Sequence, residues 1–140
     1  MDALPEWPAG TVCVLATSGP DGPHAIPVST ALRAGDRRIV LALAHSRGSL
    51  ARLRADPRVA LTVMAGPDLA FTAHGTASVI ADPLPGAEAV AGVAIAVAAV
   101  ARHERPTFAI EAGVAWRWTD DEALERDAAV RTGLSRLPPA

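Results

Sequence analysis

From Thr11 to Ala81 the apolar positions fall into short runs, alternating or unbroken, punctuated by clusters of Gly, Pro, Asp and Ser. Thr11–Thr17 (TVCVLAT) is β-rich and largely apolar. Ser18-Gly19-Pro20-Asp21-Gly22-Pro23 is turn chemistry throughout. His24–Thr30 (HAIPVST) resumes an extended pattern, and Pro27, which has no N–H for a ladder, predicts an edge, a bulge or a break. Ala34-Gly35-Asp36 turns the chain into Arg38–Ala44 (RIVLALA), a buried strand. Three strands at hairpin spacing predict an antiparallel meander.

The period then changes. Arg47–Ala55 reads as one short helix, with Leu50 and Leu53 inward at i, i+3. Asp56-Pro57 stops it, because the residue before proline avoids the helical region. Arg58–Ala65 is a fourth strand and Leu69–Ala81 a fifth, where Gly75 predicts a bulge or a close approach. After the breaker at Asp82–Gly86, the pattern of Ala87–Arg102 predicts a helix with Val90, Val93, Val97 and Val100 on one stripe. A helix apolar nearly all round needs cover, and a partner subunit is the expected one. Its uncharged run, Ala89 to Ala101, is too short to cross a bilayer. Thr107–Trp118 (TFAIEAGVAWRW) reads as the last strand. Residues 120–137 read as a helix, acidic first and basic later, cut short by Gly133 and Pro138. The expectation is a mainly β domain over residues 1–140: a six-stranded antiparallel barrel, closed or split, with a 1–10 arm and a 119–140 helical tail.

Composition narrows the function. A chain of 140 residues, half hydrophobic, has enough material for one real core. A formal charge of −2 gives no electrostatic case for nucleic acid. Every basic side chain is Arg, so any cation that holds an anion does so through a planar fork. Cys13 is alone, which excludes an internal disulfide, and its apolar setting reads as a small core residue rather than a nucleophile. No CxxC or HExxH pattern points to zinc. Met1–Glu6 lacks the basic start and apolar run of a signal peptide, so a cytoplasmic address is expected.

The candidate chemistry lies at His45-Ser46-Arg47-Gly48-Ser49, where a strand gives way to the short helix. A helix start carries unpaired N–H groups and partial positive charge, so it attracts anions. Hydroxyls and an arginine there point to a phosphate seat, with a plain capped helix start as the alternative. Arg52 is either a further phosphate contact or part of a solvated face. His24 and His74 are donors near a substrate or ordinary strand histidines. Trp116 and Trp118 face one side of their segment, for packing or for stacking on a ring.

The order of these elements, with Gly22-Pro23-His24-Ala25-Ile26-Pro27-Val28, RIVLALA, the segment Ser46–Leu61 ending in DPRVAL, and His74-Gly75-Thr76-Ala77, resembles the pyridoxamine 5′-phosphate oxidase-like split-barrel flavoproteins over roughly residues 10–118. The resemblance implies a homodimer with flavin sites where the subunits meet. It implies FMN or, in one branch, the deazaflavin F420, with the phosphate beside the short helix. The ring would lie along Pro27, Val28, Ser29 and Thr30, and late residues such as Trp116 of the other subunit would complete the pocket. His45, Ser46, Arg47, Ser49 and Arg52 would surround the phosphate. Many relatives place a Lys in that helix, at about Ser49, and this chain has none; Arg47 or Arg52 would substitute. The C-terminal substrate residues of vitamin B6 oxidases are not found.

The leading expectation is therefore an FMN-dependent oxidoreductase acting on a small planar organic substrate, with the flavin supplying the electron chemistry. An F420-dependent reductase is the nearest rival; its acidic tail needs a basic track, for which Arg33, Arg37 and Arg38 are candidates. A non-enzymatic flavin or haem binder and a ligand-free dimeric scaffold complete the alternatives.

Overall fold

The computed structural model describes residues 3–139; Met1 and Asp2 of the arm and Ala140 of the tail lie outside it. Seven strands and two helices follow one another: β1 (Cys13–Gly19), β2 (Gly22–Val28), β3 (Leu32–Arg33), β4 (Arg38–Ala44), α1 (Gly48–Ala55), β5 (Arg58–Ala65), β6 (Leu69–Ala81), β7 (Val90–Arg102) and α2 (Asp121–Ser135). They form one antiparallel sheet in the order β2-β1-β5-β6-β7-β4-β3. β2 and β3 are its two edges, so the sheet is open where the sequence predicted six strands in a barrel.

The expected meander is split: β1 and β2 pair through the Gly19–Gly22 turn, but β4 lies at the other end of the sheet, beside β7. Pro27 sits on edge strand β2, where its missing N–H costs no ladder bond. The ladder between β6 and β7 shifts register at His74/Gly75, the bulge that Gly75 predicted. A Cβ at Gly75 would overlap the Ala96 carbonyl.

The Ala/Val segment is not a helix. Val90–Arg102 is strand β7, bonded to β4 on one side and β6 on the other. Ala91–Ile95 are all buried. A central strand covered on both faces is apolar all round, which imitates a buried helix, and β-branched Val and Ile pack well there. Its own chain covers the first half, Ala91–Ile95, while Ala96, Ala98, Ala99 and Ala101 of the second half stay exposed.

Thr107–Trp118 is not a strand either. It is largely exposed and lies outside any ladder. Ile110 O accepts the Asp68 N–H at 2.8 Å, Ile110 N–H donates to Asp68 Oδ1 at 2.7 Å, and Trp116 Nε1 donates to Gly10 O at 2.8 Å. α2 is capped by Asp120, whose carboxylate accepts from Ala123 N. Gly133 does not end α2. The missing side chain lets the helix close on Leu84 and the Pro85 carbonyl, which a Cβ would meet at 3.0 and 2.9 Å.

The main core joins Leu15, Leu41, Leu61, Phe71 and Ile95 from five strands to Leu50 and Leu53 of α1. Burying each α1 leucine is worth about 1.5–3 kcal/mol. Val40, Leu84, Ala94 and Leu134 form a smaller core under α2. Among the described residues no helix is long and apolar enough to cross a membrane.

Candidate functional site

α1 begins with a deficit of negative charge. Arg47 is its extended N-cap residue, no side chain accepts from the first-turn N–H groups, and the first turn holds no acid. Ser46 does not cap it, and Ser46 and Arg47 are exposed.

Arg52 folds back over this start. A Cβ at Gly48 would lie 2.8 Å from Arg52 Nη1, and one at Gly19 would lie 2.9 Å from Arg52 Cδ. Two glycines, one in the first turn of α1 and one at the end of β1, thus clear the groove in which the side chain lies. Arg52 Nε donates to Thr17 Oγ1 at 3.1 Å and Nη2 to Ser49 Oγ at 3.3 Å. Thr17 and Ser49 are the buried polar side chains among the described residues, 3% and 1% exposed, and both serve Arg52. Neither Arg47 nor Arg52 forms an ion pair among the described residues, whereas Arg54 and Arg58 are matched by Asp82 and Asp56. A guanidinium beside the positive end of a helix is repelled by it. An anion placed between them would turn that repulsion into two attractions.

Around this centre the other expected residues divide. His45 Nε2 meets Asp82 Oδ1 at 2.6 Å, and Arg54 Nη2 donates to Asp82 Oδ2 at 2.7 Å. These two partners, His45 first, hold the Asp82 carboxyl below the usual carboxylate range. The His45 N–H also donates to Ala89 O at 3.2 Å, which ties the helix entrance to the start of β7. Val28 points into the core, and Pro27 lies on the outer edge strand. Val28 can offer a ligand only its backbone, whereas Pro27 is exposed. The Thr30 hydroxyl is engaged by Ala42 N–H at 3.1 Å, and the Ser29 carbonyl by Arg131 Nη2 at 2.9 Å.

Trp116 is elsewhere. It is bonded to Gly10 and meets Trp118 edge-on at 5.3 Å, with no hydrogen bond or ring contact to α1 of its own chain. Arg33, Arg37 and Arg38 are not a track from α1. They lie at the opposite end of β4, roughly 20 Å away along seven strand residues. His74 is exposed on β6 beside a cavity of about 320 Å³ that Thr17, Ser18 and Arg58 also line. Cys13 is buried, and burial pushes its thiol up to about 12, as suits a core residue. No group of three or more metal-ligating side chains is gathered among the described residues.

Sequence reasoning missed Thr17, Gly19, Gly48 and Asp82. Thr17 read as part of an apolar strand and Gly19 as a turn former; each meets α1 across more than thirty positions, where no local pattern reports it.

Residues 3–119 match the family described as pyridoxamine 5′-phosphate oxidase. The chain belongs to that family. No curated protein is significantly similar to it. Among solved structures of the same fold is an F420 reductase, at 17% identity and TM-score 0.59, covering 67% of this chain and 91% of that one. HupZ from group A Streptococcus aligns at 13% identity and TM-score 0.57, over 75% of this chain and 90% of its own. An FAD-binding protein from Mesorhizobium loti aligns at 14% and 0.53, over 66% and 84%. At these identities the likeness is one of fold. The match to the pyridoxamine 5′-phosphate oxidase family ends at residue 119, so α2 lies beyond it.

Proposed function

We propose that this chain is an FMN-dependent oxidoreductase, acting as a homodimer on a small planar organic substrate. The observation that carries the reading is Arg52, an arginine without a carboxylate held over an uncapped helix start by Thr17, Ser49 and two glycines. This arrangement fits a phosphate. Arg52, Ser49 and the first-turn N–H groups would hold it, with Ser46 and Arg47 closing from the solvent side and His45 beside them. The backbone of Pro27–Thr30 would border the ring. FMN, when bound, supplies reversible two-electron chemistry; the protein binds, orients and shields it.

A second subunit is supported by exposed apolar surface, which includes the second half of β7. Phe108 is 48% and Val114 66% exposed on the extended segment, and Met64 is 52% exposed on the outer sheet face. Trp116 would reach a ring only from a second copy. F420 loses its proposed basic track at Arg33, Arg37 and Arg38, and FMN is preferred.

Purification without added cofactor, followed by absorption and mass spectrometry of released ligand, tests the reading. The expected result is FMN, with tryptophan emission of the stripped protein quenched by FMN more strongly than by F420. Arg52→Met is expected to weaken FMN binding by roughly tenfold or more. Wild-type protein that binds no flavin, or R52M that binds as well as wild type, refutes it. Sedimentation at low micromolar concentration is expected to give a dimer.

A further inference from the structure

Three consecutive residues after β2 are tied to three remote parts of the chain. Arg131 of α2 donates from Nη2 to Ser29 O at 2.9 Å. Ala42 of β4 donates from its N–H to Thr30 Oγ1 at 3.1 Å. Trp7 of the N-terminal arm donates from Nε1 to Ala31 O at 3.0 Å. Ser29–Ala31 lies outside any strand, so without these bonds nothing in a ladder would fix its backbone.

The Arg131 tether is built at a cost. Its Nε is held by Asp127 Oδ2 at 2.8 Å, in a pair whose side chains are 22% and 11% exposed. Its Nη1 is buried with no hydrogen-bond partner. A largely buried ion pair with an unsatisfied donor is a poor stabiliser compared with apolar packing. α2 already docks through Leu134 and Val130, with Leu137 just past its end on the same cluster. Docking therefore does not account for Arg131, whereas fixing one carbonyl in a defined direction does.

We propose that Arg131 is a positioning residue for the flavin ring: α2, which lies beyond the family-matched region, reaches back to lock Ser29 and Thr30, the last two residues of the ring border proposed above, with Ala31 buried behind them as their anchor. This rests on the flavin reading above. Riboflavin, which lacks the phosphate, probes the ring border alone, and FMN probes border and phosphate together. In Arg131→Met both affinities are expected to fall by about tenfold in parallel, so that their ratio stays at the wild-type value. In R52M the ratio itself is expected to collapse. Arg131→Lys, which keeps a donor, is expected to recover part of the loss. In ligand-free R131M, amide exchange is expected to accelerate at residues 29–31 while the β5–β6 amides keep wild-type protection. Should R131M fail to fold, Arg131→Gln carries the same measurements.

The proposal is overturned if the variant binds riboflavin and FMN within about twofold of wild type, if the FMN-to-riboflavin ratio falls as far as the ring affinity, or if exchange at residues 29–31 does not change. Wild-type protein that binds neither compound is a different failure, that of the flavin reading itself.

Discussion

Alanine at position 48 separates the two things that Gly48 does. In a helix, replacing Gly by Ala is favourable by up to about 1 kcal/mol, less at the first position than in the interior. Against this, the new methyl would stand 2.8 Å from Arg52 Nη1. That atom ends a flexible side chain, so the guanidinium can move aside without any shift of the backbone. What is lost is its place over the helix start and its donors to Thr17 Oγ1 and Ser49 Oγ. A hydrogen bond to a charged group is worth about 1.5–3 kcal/mol, equivalent to roughly ten- to 150-fold in affinity. The same lost bonds leave the buried Thr17 and Ser49 hydroxyls without their guanidinium partner, which offsets the Gly→Ala gain, so Gly48→Ala is expected to fold and melt cooperatively at or a few degrees below the wild-type temperature while binding FMN at least about tenfold more weakly. Thermal melting and FMN fluorescence titration on one preparation measure both. Affinity within about twofold of wild type would show that the displaced guanidinium does not touch the ligand and would refute the reasoning.

Other consequences are independent of any ligand. Hydrogen bonding to Arg58 holds the Asp56 carboxyl at about 2, and hydrogen bonding to Arg102 holds Glu104 at about 2. Depressed folded-state values mean that both carboxylates stabilise the fold above the ordinary carboxylate range, near 4, and lose that contribution as pH falls from about 4 towards 2. Melting temperature against pH should show this decline, and Asp56→Asn should make it shallower. Cys13 should resist alkylation at pH 8 in the native protein and react at once in denaturant, because its thiol stays protonated up to about 12. Phe71→Ala removes a fully buried ring that packs on Trp7 at 5.7 Å, and should cost about 3–5 kcal/mol of unfolding free energy in a denaturant titration. Gly75→Ala should also destabilise, because its methyl would strike the Ala96 carbonyl, and backbone cannot swing away.

What could be read in the sequence was local. Leu50 and Leu53 lie four and two per cent exposed on the inward face of α1, Pro27 marks an edge, and Gly75 marks a bulge, because each acts through its own backbone or immediate neighbours. β7 was misread because Ala and Val without charges fit both periods, and only its pairing with β4 and β6 decides between them. The 107–118 segment has strand composition but finds no ladder in its own chain. At the candidate site, the helix start was legible from Ser and Arg spacing. That Arg52, not Arg47, is the side chain held over it was not, since that depends on Thr17 and Gly19 arriving from β1.

The β1–β2 hairpin turn sits at the surface, where lengthening by a residue or two is normally tolerated. Here its first glycine forms one wall of the slot that aims Arg52. Insertions between Gly19 and Gly22 should thus leave folding intact while loosening that slot, so that the length of an outwardly unremarkable bend sets the direction of a side chain on another element.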